Sequence, residues 1–176
     1  EVAGVKRDLR LFTIKPGIRI AILNILGDTE FVQAVSKALS EKLRVHSIEV
    51  IVTPEAKSIP LAHALSVDLN LPYVVLRKTY KPYMGEALRS ETLSITTGEK
   101  QTLFLDEKDR ELIKGKRVAI LDDVISTGST LQGMRLIMEK AGANVSVEAA
   151  IFTEGDRAKW SNIVALGHLP IFFDEK

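Results

Sequence analysis

Two adjacent carboxylates, Asp122 and Asp123, stand between an apolar run and a stretch of small hydroxyl residues. The run is Val118-Ala119-Ile120-Leu121; after Val124 and Ile125 the stretch is Ser126-Thr127-Gly128-Ser129-Thr130. A strand that ends in such a loop and passes into a helix forms a ligand crevice at the carboxyl end of a parallel sheet. The backbone N–H groups of residues 126–130 and of the helix start suit an anion, because both present unpaired donors. Ser126, Thr127, Ser129 and Thr130 add hydroxyl donors, and Gly128 lets the backbone come close to the ligand. Two acids beside an anion loop need something to offset their charge. Ribose hydroxyls supply donors, and Mg²⁺ supplies positive charge directly or through water. The chemistry is that of a phosphorylated sugar, with phosphate on the amides and ribose on the acids. The plain alternative is a capped strand–helix turn with both aspartates solvated. No G-x-x-x-x-G-K-[ST] run occurs, and no G-x-G-x-x-G follows a strand.

The elements that must hold this loop alternate short apolar runs with amphipathic stretches, the pattern of a sheet with crossover helices. Strands are predicted over residues 19–25, 48–52, 73–76, 118–121 and 145–152. Helices are predicted over 29–43, 58–69 and 131–141. The first helix carries Phe31, Val32, Val35, Ala38, Leu39 and Leu43 at helical spacing, capped by Asp28 or Thr29. Gly142 is the expected C-cap of the last. Residues 80–116 break the rhythm with Gly85, Gly98, Gly115 and many charges. Only residues 102–105 and 91–96 read as strand there. An excursion of that length inside a compact domain is functional or mobile, or else a surface hairpin.

With 176 residues, 45% hydrophobic and 27% charged, the chain has the composition of one globular domain, residues 1–176. A net charge of +1 argues against a nucleic-acid binder that relies on a strongly basic surface. There is no cysteine, so disulfides, thiolate metal sites and thiol nucleophiles are excluded. No run approaches the roughly 18–20 apolar residues that span a bilayer, and residues 1–7 lack a signal-peptide pattern. A cytoplasmic protein without membrane or nucleic-acid partners is expected. His46, His63 and His168 are scattered and read as surface or core histidines rather than a metal cluster. Trp160 reads as packing, or alternatively as a cover for a bound base.

Residues 118–130 closely resemble the thirteen-residue signature of type I phosphoribosyltransferases, which binds 5-phosphoribosyl 1-pyrophosphate (PRPP). The shared pattern is a hydrophobic strand, Asp-Asp, two apolar or small residues, then small-Thr-Gly-small-Thr. The resemblance implies an α/β fold with a central, mainly parallel sheet flanked by helices and a flexible hood hairpin over about residues 80–105. It implies that Asp122, Asp123, Val124 and Ile125 lie against the ribose and Ser126, Thr127, Gly128, Ser129 and Thr130 hold the 5-phosphate. Mg²⁺ would sit near Asp122 and Asp123 through water.

Other stretches resemble the same family in order and spacing. Thr53-Pro54-Glu55-Ala56-Lys57-Ser58 is similar to its pyrophosphate loop, although alone it reads as an ordinary strand–helix turn. Arg77, Lys78 and Lys81 match basic residues that reach pyrophosphate in the purine branch; alone they read as a solvated turn. Residues 163–173 resemble the late strand that frames the base, and residues 24–28 lie where relatives line the base pocket. The implied activity is transfer of the phosphoribosyl group of PRPP to a purine, with Asp122, Asp123 and Lys57 as the catalytic residues and a homodimer as the assembly. Adenine is the first choice of base, hypoxanthine, guanine or xanthine the next, and orotate less favoured. Adenine-specific relatives carry Glu before the hood glycine, where this chain has Thr97 before Gly98; Glu99 would serve only in a shifted register. A PRPP-sensing regulator without turnover is the alternative of another class. With about twenty residues before the first core strand, a preceding winged helix is not expected.

Overall fold

In the computed structural model, residues 1–93 and 100–173 are described; residues 94–99, with Thr97, Gly98 and Glu99, lie outside them. The centre is a five-stranded parallel sheet. Its strands are β3 (Val50–Pro54), β4 (Tyr73–Leu76), β7 (Arg117–Ile125), β8 (Asn144–Glu154) and β9 (Val164–Leu169), in the order β4-β3-β7-β8-β9. β3 is buried along its whole length, as a central strand covered on both faces must be.

Helices α1 (Thr29–Leu43) and α2 (Ile59–Leu69) cover one face. The buried side of α1 is Phe31, Val32, Val35, Leu39 and Leu43, each contributing about 1.5–3 kcal/mol by burial. The Asp28 carboxylate accepts from the Phe31 N–H at 3.1 Å and caps the helix. On the other face lie α3 (Glu107–Ile113) and α4 (Ser129–Ala141), with Met134, Ile137 and Met138 against Val118 and Ile120. Gly142 ends α4 at φ +69°, where a residue with a side chain would be strained.

Two antiparallel sheets flank this core. β5 (Leu88–Leu93) and β6 (Lys100–Leu105) form a hairpin packed on α4, which confirms a hairpin in the excursion. β1 (Arg10–Lys15), β2 (Ile18–Ile22) and β10 (Phe172–Phe173) form a separate three-stranded sheet. The strand expected at residues 19–25 is therefore a hairpin strand outside the parallel core, and β1 was not foreseen. Among the described residues no helix is long and apolar enough to cross a membrane.

Candidate functional site

β3 and β7 are parallel neighbours, so their carboxyl ends open side by side. β3 runs into residues 55–58 and then α2; β7 runs into residues 126–128 and then α4. Both sequence-predicted loops therefore face one crevice. A cavity of about 190 Å³ lies between them, lined by Glu55, Lys57, Lys78, Asp122, Asp123 and Thr130 among others. A second pocket of about 30 Å³ lies in the curl formed by Ser126, Thr127, Gly128 and Thr130, with room for one polar group rather than a whole ligand.

β7 extends four residues beyond the expected strand, so both aspartates belong to it, with Asp122 opposite Ala150 of β8. Asp123 is buried at 5% exposure. Its Oδ2 lies 3.0 Å from the Lys57 ammonium without the alignment of a hydrogen bond. Lys57 also donates to the Leu23 carbonyl at 3.2 Å, which aims the cation into the crevice. The Asp123 N–H donates to Asp122 Oδ1 at 2.8 Å. Burial, then the charge of Asp123, raises the Asp122 pKa well above the ordinary carboxylate range, and Lys57 only partly opposes this. An acid whose folded pKa exceeds its unfolded value near 3.9 binds more protons when folded, so stability falls as pH rises from about 4. Asp122→Asn is expected to raise stability at neutral pH, with the gain vanishing near pH 4. Urea midpoints for both proteins across that range check this, and a gain independent of pH would contradict it.

Glu55 lines the crevice with its carboxylate already engaged. Its carboxylate accepts from Arg77 Nε at 2.7 Å and from the Lys78 N–H at 2.6 Å. Burial pushes its pKa up, but these two donors outweigh burial and hold it below the ordinary value. Arg77 is thereby tied to Glu55, and its backbone exchanges hydrogen bonds with Phe104 of β6 at 2.8 and 2.7 Å. Ser58 is buried and donates to the Pro54 carbonyl, so its hydroxyl serves the loop itself. Ala56 and Lys78 line the crevice, whereas Lys81 is an exposed residue at the start of a 3₁₀ turn.

Gly128 precedes α4 at φ +84° with no capping side chain, leaving the helix start to an outside anion. A Cβ there would lie 2.6 Å from Trp160 Cη2. Trp160 is 8% exposed and donates from Nε1 to the Glu154 carbonyl at 3.0 Å. Lys159 donates to the Thr127 carbonyl at 3.0 Å and lies 4.6 Å above the indole. Trp160 thus packs, and what it packs against is the loop of residues 126–130. Gln101 of β6 also reaches the loop, accepting from Ser129 and Thr130. Sequence reasoning missed both contacts, because neither residue belongs to a local motif. Among the described residues no His, Asp or Glu cluster could hold a metal by itself. His168 instead bridges Thr153 and the Gly155 carbonyl.

Comparison with known proteins adds a match to the family described as the phosphoribosyl transferase domain, over residues 22–165. The chain belongs to this phosphoribosyltransferase family. It is 32% identical over 133 residues to the purine biosynthesis transcriptional repressor PurR of Bacillus subtilis, covering 76% of this chain and 46% of the repressor. It is 39% identical over 110 residues to a hypoxanthine/guanine phosphoribosyltransferase of Methanococcus voltae, covering 62% of this chain and 55% of that one. The adenine phosphoribosyltransferase of Thermosipho africanus is 32% identical over 166 residues, covering 91% and 94%. The chain thus spans about half the length of the first two relatives. The crystal structure of adenine phosphoribosyltransferase from Thermoanaerobacter pseudethanolicus has a TM-score of 0.72 at 22% identity, covering 91% of this chain and 95% of that one. At that identity it establishes the shared type I phosphoribosyltransferase fold, which the resemblance at residues 118–130 implied.

Proposed function

We propose that this phosphoribosyltransferase-family chain transfers the phosphoribosyl group of PRPP to a purine base, adenine first, giving a nucleoside monophosphate and pyrophosphate. The observation that carries the reading is the single crevice in which Lys57 and Lys78 face Asp122, Asp123 and Thr130. It offers cations for a pyrophosphate, carboxylates for ribose hydroxyls and small donors for a phosphate, in the order in which PRPP presents those groups. In the reaction a purine nitrogen bonds to ribose C1 as the bond from C1 to pyrophosphate oxygen breaks. The charge that develops on that oxygen is met by Lys57 and Lys78, and positioning supplies most of the rate. Asp122 and Asp123 orient the ribose. The pair also fits Mg²⁺, since the buried Asp123 Oδ2 has the Lys57 charge but no aligned donor. Bound there through water and the ligand's own oxygens, Mg²⁺ would neutralise leaving-group charge.

Adenine rests on the relative that matches nearly end to end, and hypoxanthine/guanine on the higher identity over a shorter span. Similarity to a repressor supports the second reading, a regulator that binds PRPP without turnover. The proposed assembly is a homodimer, which would cover the exposed Tyr80 and Tyr83 beside the basic turn. The test is turnover of PRPP with Mg²⁺ against adenine, hypoxanthine, guanine, xanthine and orotate. Nucleotide and pyrophosphate are expected with one purine. A PRPP-dependent rise in melting temperature without product with any base would favour the regulator. Neither product nor a thermal shift would refute both.

A further inference from the structure

Three hydroxyls of the loop, those of Thr127, Ser129 and Thr130, are already engaged. Gln101 Oε1 lies 3.2 Å from Ser129 Oγ and 3.3 Å from Thr130 Oγ1. Thr127 Oγ1 lies 3.2 Å from Ser129 Oγ. A side-chain carbonyl only accepts and each hydroxyl has one proton, so the distances decide the proton directions. Ser129 and Thr130 both give their protons to Gln101, and Thr127 gives its proton to Ser129. Two hydroxyl protons thus converge on one amide oxygen, and the third is held by Ser129. A phosphate needs those same protons.

The arrangement is anchored from the hairpin. Gln101 is the cross-strand partner of Thr92, whose hydroxyl donates to the Ser129 carbonyl at 3.2 Å. One pair of strand residues therefore grips Ser129 by both side chain and backbone. Below it, a Cβ on Gly133 of α4 would lie 3.3 Å from Leu103 Cδ1 and from Ser90 Oγ, so hairpin and helix lie close along the next turn.

We propose that Gln101 is a built-in competitor for the phosphate end of the ligand. Its amide oxygen holds the loop hydroxyls in the free protein, and an incoming phosphate must displace it. Gln101 thereby sets the affinity of the loop for phosphate and links occupancy of the loop to the hold of β6 on α4. The inference rests on the reading of residues 126–130 as a phosphate site.

Ribose 5-phosphate is the direct probe, titrated calorimetrically into the native chain and two variants. Gln101→Ala removes the competitor and is expected to bind about three- to tenfold tighter, since two partly exposed hydrogen bonds no longer oppose binding. Gln101→Glu, of nearly the same shape, keeps an acceptor and adds a negative charge beside the phosphate, so it is expected to bind about tenfold more weakly. Pyrophosphate, assigned to the other loop, should change by less than about twofold in either variant. Native-like affinity in both variants, or weaker binding by Gln101→Ala, overturns the inference alone. Failure of the native chain to bind ribose 5-phosphate overturns the phosphate-site reading, and the inference with it.

Discussion

Alanine at position 128 is expected to cost about 2–5 kcal/mol of stability and to weaken PRPP binding at least about tenfold. Two costs combine. The backbone at φ +84° lies in the left-handed region, which costs a residue with a side chain about 1–2 kcal/mol. The added Cβ also meets Trp160 Cη2 at 2.6 Å, and overpacking of this kind costs about 1–3 kcal/mol. The indole cannot retreat cheaply, because its N–H is committed to the Glu154 carbonyl and Lys159 lies over its ring. The loop therefore has to move, and the start of α4 moves with it. Chemical denaturation measures the first effect and PRPP titration the second. Adding Trp160→Leu to Gly128→Ala should recover affinity lost to the clash but none of the backbone strain. An unchanged affinity in Gly128→Ala would show that the loop does not hold the ligand.

Lys57→Ala is expected to lower turnover about 100- to 1,000-fold, the range for removing one donor aimed at developing charge. The same change leaves buried Asp123 without its facing cation, at a cost of about 1–3 kcal/mol in stability. The two effects separate experimentally. Lys57→Met fills the space of the stem without restoring the charge, so a loss of turnover that persists there is electrostatic. Steady-state kinetics beside urea denaturation decides between roles. A loss of stability with normal turnover would make Lys57 a structural partner of Asp123 only.

The helices and central strands were legible because each carries one period with little ambiguity. α1 has the expected bounds, Thr29–Leu43, with Asp28 as cap, and β4 is Tyr73–Leu76 as expected. β7 was placed but cut short, since Asp122 and Asp123 end the apolar run that identifies a buried strand. β1 was missed because Arg10, Leu11, Phe12, Thr13, Ile14 and Lys15 are all exposed, so no buried face imposes alternation. α3 was missed because six of its seven residues lie outside the buried core and only Ile113 is buried. The motif residues of the site could be read from local order. Gln101 and Trp160 could not, since they meet the loop from 28 and 32 residues away along the chain. Nor could the pairing of Glu55 with Arg77, which makes two candidate ligands for pyrophosphate into partners of each other.

Thr53 is the last buried polar residue of β3 before Pro54. Its hydroxyl lies 2.9 Å from the Leu121 carbonyl of β7 and 2.9 Å from Ser58 Oγ, which in turn donates to the Pro54 carbonyl. This tie stitches the root of one ligand loop to the root of the other, across neighbouring strands about 4.8 Å apart. The sheet therefore acts as a ruler: the interval between the roots of the two loops is inherited from strand spacing, not from loop conformation. Loop residues can fluctuate while the two roots keep their separation.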